Sequence, residues 1–364
     1  MTAQPDHSRG SRTTPLSPTT LYRAFAARRA RKAVHAPERG ISADDRWRLV
    51  RRHGDFPLAF PLAVDPDLLA FGDDAGAIAF AQEAGFTFAL GDPVAAPADR
   101  GRLLDAFVAT FRDPVFVAAQ RPTAAHLAGL GYRVSLLGHD SVIDLNGLDF
   151  SGGRFKRIRY ATSWLRARGG SVVEDPADGS TAADVRALTQ DWRASRVSSR
   201  ELRFISRGLP KRPEPDTRRF LALSAEGDPL GLAGFDPVYE DGRITGHLAS
   251  QKRRRADDGG YVDLAIMRHA LQTFRDEGRR SVFLGLSPLA DLGPSGFHES
   301  RWLRWALSRA GRSDRINGGV FNSRGLTAHK ARFRGRPVPL YLCLPPGGPG
   351  LMRMIALLVL TKVV

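Results

Sequence analysis

Two glycine pairs, Gly152–Gly153 and Gly169–Gly170, bracket the segment "RFKRIRYATSWLRAR" and divide the chain into two stretches of similar pattern. Within the bracket, Phe155, Ile158, Thr162 and Leu165 fall at the i, i+3, i+7, i+10 spacing of one helical face. The other positions carry Arg154, Lys156, Arg157, Arg159, Arg166 and Arg168, six positive charges with no acid among them. This is a basic amphipathic helix. Its apolar stripe needs a sheet to cover it, and its cationic side matches phosphate; an ordinary solvated surface helix is the alternative, weakened by the missing acids.

On either side the hydrophobic period switches repeatedly between two and 3.6. Before the bracket, Ser42 caps a helix running to His53, "GAIAFAQEAG" and "FTFALGDPV" read as paired strands, and "GRLLDAFVATFRD" forms a helix on Leu103, Leu104, Phe107, Val108 and Phe111. The strand "PVFVAAQ", a helix over "TAAHLAGLG" and two strands, one on each side of Gly138, complete that unit. After the bracket, "SVVED", "RRFLALSAEG", "PLGLAGFDPVYEDG" and "ITGHLASQKRR" read as strands. Helices are predicted from Thr181 and over "YVDLAIMRHALQTFRDEG", and the strand "RSVFLGLSPL" follows. The fold class is α/β (α+β), two tandem units, each a mixed sheet flanked by helices, joined by the basic helix. Their similar element order suggests a duplication, without a residue-level repeat. The boundaries fall at 1–40 (a basic arm), 41–150, 151–170, 171–345 and 346–364, and the length of 364 residues suits two cores.

The arm holds eight Arg or Lys against two acids, including "RRARK" at Arg28–Lys32, and reads as a disordered segment able to touch phosphate or simply be solvated. Over the whole chain the formal charge is +16, and only six of the 54 basic residues are Lys. Guanidinium groups stay charged and grip phosphate through two hydrogen bonds, so nucleic acid or anionic lipid are the favoured partners, a solvated basic surface being the alternative. With 42% apolar and 25% charged residues the chain is neither disordered nor membrane-spanning in class. Cys343 alone allows no internal disulfide and no multi-cysteine zinc site; within "YLCLP" it reads as a buried, inert thiol. Met1–Thr20 is polar and Pro-rich without the apolar core of a secretory signal, so a cytoplasmic location is expected. The tail "GLMRMIALLVLTKVV" falls short of the roughly 20 residues a membrane span requires. It reads as a docked helix or as an interfacial one, which would hold the protein at the inner face of the membrane.

No HExxH, P-loop, GxSxG or strand-to-helix GxGxxG occurs, which leaves metalloprotease, nucleotide triphosphatase, α/β-hydrolase and Rossmann readings without support. The positive signal is an ordered set: "FALGDPV", the basic helix with "LRARGG", "SRELRFISRG", "DDGGYVDLAIMRHAL", "VFLGLSPLA" and "FNSRGLTAHKARFRGRPVPLYLCLP". Over roughly residues 42 to 362 the series resembles the C-terminal catalytic domain of bacterial phosphatidylglycerol lysyltransferases, the aminoacyl-phosphatidylglycerol synthases. That resemblance implies tandem acyltransferase-like (GNAT-like) folds, an aminoacyl-tRNA donor and a lipid hydroxyl as acceptor, with transfer to a small-molecule amine or hydroxyl as the alternative. A non-catalytic RNA- or membrane-binding protein on the same fold is the competing class. Because an aminoacyl ester is already activated, positioning and oxyanion stabilisation suffice, and no ATP, metal or redox cofactor is expected.

The resemblance also implies residue roles. Glu201 is the first candidate for binding the donor's ammonium group or acting as base, Asp263 the second; Lys330 and Arg332, with Arg324, would clamp phosphate or developing oxyanion charge. Phe204, Ser287 and Asn322 are candidate pocket residues, and Arg154, Lys156, Arg157, Arg159, Lys252 and Arg253 candidate tRNA contacts. Asp92, in "GDPV", reads as a turn residue, and His139–Asp140 as a loop. One departure stands out: "ASQKRRRADDGG" places Ala249 and Lys252 near positions where the family carries an acid and an arginine. A pocket without that acid holds a cationic side chain poorly, which argues against a lysine donor.

Overall fold

The computed structural model describes residues 41–176, 178–194, 202–210, 212–255, 260–319, 322–347 and 350–363. The basic arm expected over 1–40 and the candidate Glu201 lie outside them. The first half of the chain forms α1 (Ala43–His53), α2 (Pro61–Val64), β1 (Leu69–Asp73), β2 (Gly76–Glu83), β3 (Phe86–Leu90), β4 (Val94–Ala95), α3 (Pro97–Thr110), β5 (Val115–Ala119), α4 (Arg121–Gly129) and β6 (Arg133–Asp144). The second half forms α5 (Lys156–Arg166), β7 (Ser171–Glu174), α6 (Ala182–Ala194), β8 (Arg218–Leu223), β9 (Pro229–Glu240), β10 (Arg243–Arg254), α7 (Tyr261–Asp276) and β11 (Ser281–Pro288). It continues through α8 (Arg301–Arg312), α9 (Asp314–Gly319), α10 (Ser323–Ala331), β12 (Arg336–Leu344) and α11 (Gly350–Leu360). The predicted cap is in place: the Ser42 side chain accepts from the Asp45 amide, and Arg51, Arg52 and His53 sit at the negative end of the helix dipole.

The twelve strands among the described residues form one mixed sheet in the order β1-β2-β3-β5-β12-β6-β11-β10-β9-β8-β7, with β4 pairing β2. Each half repeats one motif. An antiparallel pair, β2–β3 or β9–β10, is followed by a parallel partner, β5 or β11. The strands that follow are exchanged: β6 continues from the first half yet pairs with β11, and β12 continues from the second yet pairs with β5. β6 and β12 then pair with each other from Arg336↔Val142 to Leu344↔Arg133. So 336–344, which belongs to the second unit by chain order, lies in the middle of the sheet. Without the exchange, β5 and β11 would each present an open edge of unpaired amides and carbonyls.

Alternation along the strands splits the side chains between two layers. Ile78, Phe80, Phe116, Tyr341, Phe220 and Phe235 pack under α3, α4, α5 and α7, while Ala79, Phe88, Val117, Leu342 and Leu232 face α1, α2, α6, α8 and α11. The basic α5 covers its own apolar stripe, as its pattern predicts: Ile158, Ala161 and Leu165 are buried against the sheet layer and α7. Where two strands were expected around Gly138, one continuous strand runs through. A Cβ at 138 would stand 2.2 Å from the Ser287 carbonyl oxygen, so glycine lets β6 close on β11. Segments α8 and α10 had no counterpart in the alternating pattern. Helix α11 docks on β2 and β3, held by Arg353, which is 1% exposed, stacks near Phe86, donates to the Gly347 carbonyl and pairs with Asp113 at 3.0 Å. Among the described residues no helix is long and apolar enough to cross a membrane.

The shared centre makes a stability prediction. Leu342 on β12 is fully buried, so Leu342→Ala is expected to cost about 2–5 kcal/mol. Hydrogen exchange followed by mass spectrometry should show amides of β3 and of β10 losing protection together. Loss confined to the strands next to β12 would show that the halves hold independently.

Candidate functional site

The site arises where parallel strands part. β10 and β11 are in register only from Gly246↔Ser281 to Leu248↔Phe283; beyond that β10 follows β9 to Arg254 and β11 follows β6 to Pro288. A bulge between Phe283 and Leu286 sets the divergence, and Gly285 within it takes φ +79°, a conformation that suits glycine. The first half repeats the device: β3 and β5 are paired up to Leu90↔Val117, after which Gly91 and Ala118 take positive φ. One cavity of about 290 Å³ spans both openings, on the sheet face that carries α2 and α6. Asp92, Ala118 and Gln120 line it from the first opening, and Leu248 to Ser250, Lys252, Arg253 and Phe283 to Leu286 from the second. Phe56, Leu58, Phe204, Ile205 and Trp192 contribute apolar and aromatic wall, and Asp140 and Lys330 lie between the two openings.

Lys330, on α10, is 4% exposed. Its Nζ donates to the carbonyls of Gly285 (2.6 Å) and Leu286 (3.0 Å), both turned toward it by the bulge. Two carbonyls occupy two of its N–H groups, which leaves the remaining tetrahedral position, lone pair or third N–H, for a group in the cavity. Burial, reinforced by the neighbouring Lys252 ammonium, pushes its pKa down to about 7, against the pull of Asp140. Asp140 on β6 is pushed up to about 6 by burial, opposed by Lys330 and by the amides of Ser141 and Gly285. Acid and amine thus titrate close to each other near neutrality, the condition for moving a proton.

Lys252 Nζ lies 3.4 Å from His329 Nε2, and burial together with surrounding cations holds that imidazole neutral. The Arg253 guanidinium stacks 3.8 Å from the centre of the Trp192 ring. Opposite charges are also locked into the wall: Arg207 reaches Asp236 through Nε and Nη2 (2.9 and 2.8 Å) and Glu214 through Nη2 (2.6 Å). Asp92 is different. Its Oδ1 accepts from the Gln120 amide, its buried Oδ2 lies within no hydrogen-bond geometry among the described residues, and burial raises its pKa to about 6 against the pull of the nearby Thr123 hydroxyl and the Gln120 amide.

Of the candidates named from sequence, Lys330, Phe204, Lys252 and Arg253 come together in the cavity wall. Others do not. Asp263 stands in the first turn of α7 with Arg254 at 3.3 Å, stabilising the helix dipole outside the cavity. Arg324 is taken up by Asp314 (2.7 Å) and the Arg312 carbonyl, and Asn322 is the N-cap of α10, accepting from the Gly325 amide. Ser287 is buried in the β11–β6 ladder between lining residues without lining the cavity itself. Arg154, in the 3-10 turn Gly153–Phe155 before α5, and Lys156 and Arg157, on α5, are exposed, while Arg159 is spent on the Phe150 and Gly152 carbonyls. Arg332 lies outside the cavity wall beside Arg157 and Tyr261. Asp140 and Asp92, read from sequence as loop and turn residues, are lining groups. Asp140 reaches the cavity face because β6 carries an extra residue, Leu137, between Leu136↔Tyr341 and Gly138↔Leu340, which reverses the alternation set by Val134 and Leu136; nothing local marks either Asp140 or Asp92.

Comparison with known proteins follows the same outline. A family model described as "Phosphatidylglycerol lysyltransferase, C-terminal" matches residues 47–344. An uncharacterized protein of Corynebacterium glutamicum is 23% identical over 286 residues, covering 74% of this chain but 35% of its own length, so the chain spans about a third of that relative. The structure of L-PGS from Bacillus licheniformis superposes with a TM-score of 0.72 at 16% identity, covering 90% of this chain and 99% of that one. The C-terminal domain of a putative lysylphosphatidylglycerol synthetase from Agrobacterium fabrum gives 0.70 at 20% identity, covering 88% and 98%. At these identities the two structures establish the shared fold.

The buried pair can be tested directly. In ¹⁵N-lysine NMR, Lys330 is expected to titrate near pH 7, lower in Asp140→Asn and higher in Lys252→Met. Because its pKa lies below the 10.5 of an unfolded lysine, the unfolded chain binds more protons between about pH 7 and 10.5. Stability should therefore rise with pH across that window for this group. A Lys330 signal that titrates like an exposed lysine would overturn the assignment.

Proposed function

The chain belongs to the family of phosphatidylglycerol lysyltransferase C-terminal domains, and from that premise we propose that it is an aminoacyltransferase whose acceptor is the hydroxyl of phosphatidylglycerol or a related polar lipid. The observation that carries the reading is the Lys330–Asp140 pair at the strand parting, inside a cavity with two openings for two substrates.

In the proposed reaction the acceptor hydroxyl oxygen attacks the ester carbonyl of the donor while neutral Lys330 takes the hydroxyl proton. The bond to the donor's ribose oxygen then breaks, and the Lys330 ammonium returns the proton to that oxygen. Asp140 supports the ammonium between the two transfers, and the Gly285 and Leu286 carbonyls hold Nζ in place. Asp92 Oδ2 offers an acceptor for a substrate hydroxyl or ammonium at the first opening.

The donor in this reading is aminoacyl-tRNA. It is supported by cations set outward from Lys330: Lys252 beside it in the cavity wall, Arg332 beyond the neutral His329, and Arg157 on α5 beside Arg332. Such a run can follow the phosphates of a single-stranded acceptor end inward. Ala249 and Lys252 both line the cavity, which favours a donor side chain without positive charge. Transfer to a small-molecule amine or hydroxyl uses the same site; the modest cavity volume favours it. Helix α11 docks on β2 and β3 of the first half and leaves Leu351 and Leu358 exposed, so it favours neither acceptor over the other.

The test is incubation with total charged tRNA bearing labelled amino acids and phosphatidylglycerol vesicles, followed by phase extraction. Label should enter the lipid phase, Lys330→Ala should reduce the rate about 10²-fold or more, and Asp140→Asn should shift the acidic limb of the pH profile. Full activity in Lys330→Ala, or no transfer of any amino acid to lipid or to a small acceptor, would remove the assignment.

A further inference from the structure

We propose that the outward face of α8, together with the exposed start of α11, is a docking surface for an anionic lipid bilayer. Helix α8 reads "RWLRWALSRAGR", and it is fixed on its inner side by three contacts. Leu303 and Leu307 are buried in the layer that also walls the cavity, the Ser300 side chain caps the helix at the Leu303 amide, and just upstream the Ser295 hydroxyl holds the Val134 carbonyl. The outer side is unlike the rest of the surface. Trp302 and Trp305, three residues apart, are 46% and 62% exposed, and Arg301, Arg309 and Arg312 flank them on the same side.

The acids near this face are already engaged. Glu299 is turned to Arg304 and the Ser295 amide, and Asp314 pairs with Arg324. A groove joins Trp302 to Leu351 at the start of α11, with Arg133 on its edge, and Leu351 is 55% exposed. Leu358, one heptad further along α11, is also exposed.

Two exposed indoles and exposed leucines make a poor match for water and a poor match for a polar protein surface. Indoles between guanidinium groups suit the headgroup region of a bilayer, where the ring enters the acyl boundary and the arginines meet lipid phosphates. Charge complementarity selects an anionic surface over a zwitterionic one. The inference extends the lipid-acceptor reading, yet it stands on α8 and α11 alone and is measured without donor or transfer. Failure of one is therefore distinguishable from failure of the other.

The experiment is flotation of the full chain with vesicles of equimolar phosphatidylglycerol and phosphatidylcholine, and with phosphatidylcholine alone. Binding to the anionic vesicles, weakened by salt, is expected. Arg301→Gln with Arg309→Gln should lower affinity about fivefold per arginine, and Trp302→Ser with Trp305→Ser should lower it further while the melting temperature is unchanged. Brominated acyl chains should quench the wild-type fluorescence and spare the double tryptophan variant. Undiminished vesicle binding in both double variants would overturn the proposal, as would absence of binding to anionic vesicles. So would a gel shift in which the variants lose tRNA while keeping vesicles, since the face would then belong to RNA.

Discussion

Everything in this molecule hangs on the pairing of β6 with β12. Each half of the chain builds an antiparallel pair and then a parallel partner, and each would stop there with a bare strand edge. By trading their next strands the halves close each other, and the two cores become sides of one sheet. The exchange also fixes where the cavity can be, since both strand partings lie next to the exchanged pair and both open on the same face.

Seen this way, the chemistry of the site is a product of main-chain geometry. The bulge around Gly285 turns two carbonyls toward one amine, and burial in the wall then works against its charge. A lysine on a regular strand or an exposed helix would keep its ordinary basicity; here a sheet irregularity and a helix from a different part of the chain hold it between carbonyls and a carboxyl. The neighbouring Lys252 ammonium adds to burial in lowering its affinity for protons.

The alternating segments were legible because strand and helix periods are local properties: α1, β2, β3, α3, α5 and α7 lie where the patterns put them. The exchange of β6 and β12 was not legible, since no local period says which edge a strand will join. The same limit explains the site. Lys330 and Phe204 could be named from motif resemblance, but Asp140 takes its place only through the one-residue slip of β6 at Leu137 against β12, and Asp92 only when β3 and β5 part. Arg324 and Asn322 illustrate the converse: residues in a suggestive motif can be consumed by holding α10 in place. Asp263 likewise serves its own helix and Arg254. Exposed Trp302 and Trp305 were hidden because their helix has no strand-like neighbours to frame it.

The exchange has a consequence for the order in which the molecule can be made. On the ribosome, β5 and β6 emerge roughly 190 residues before the strand that lies between them, a delay of about 10 to 40 s at ordinary elongation rates. Through that interval the nascent first half carries an unfilled slot in its sheet, exposed to whatever extended peptide is nearby. A chaperone that shields strand edges would act on this interval rather than on the finished protein.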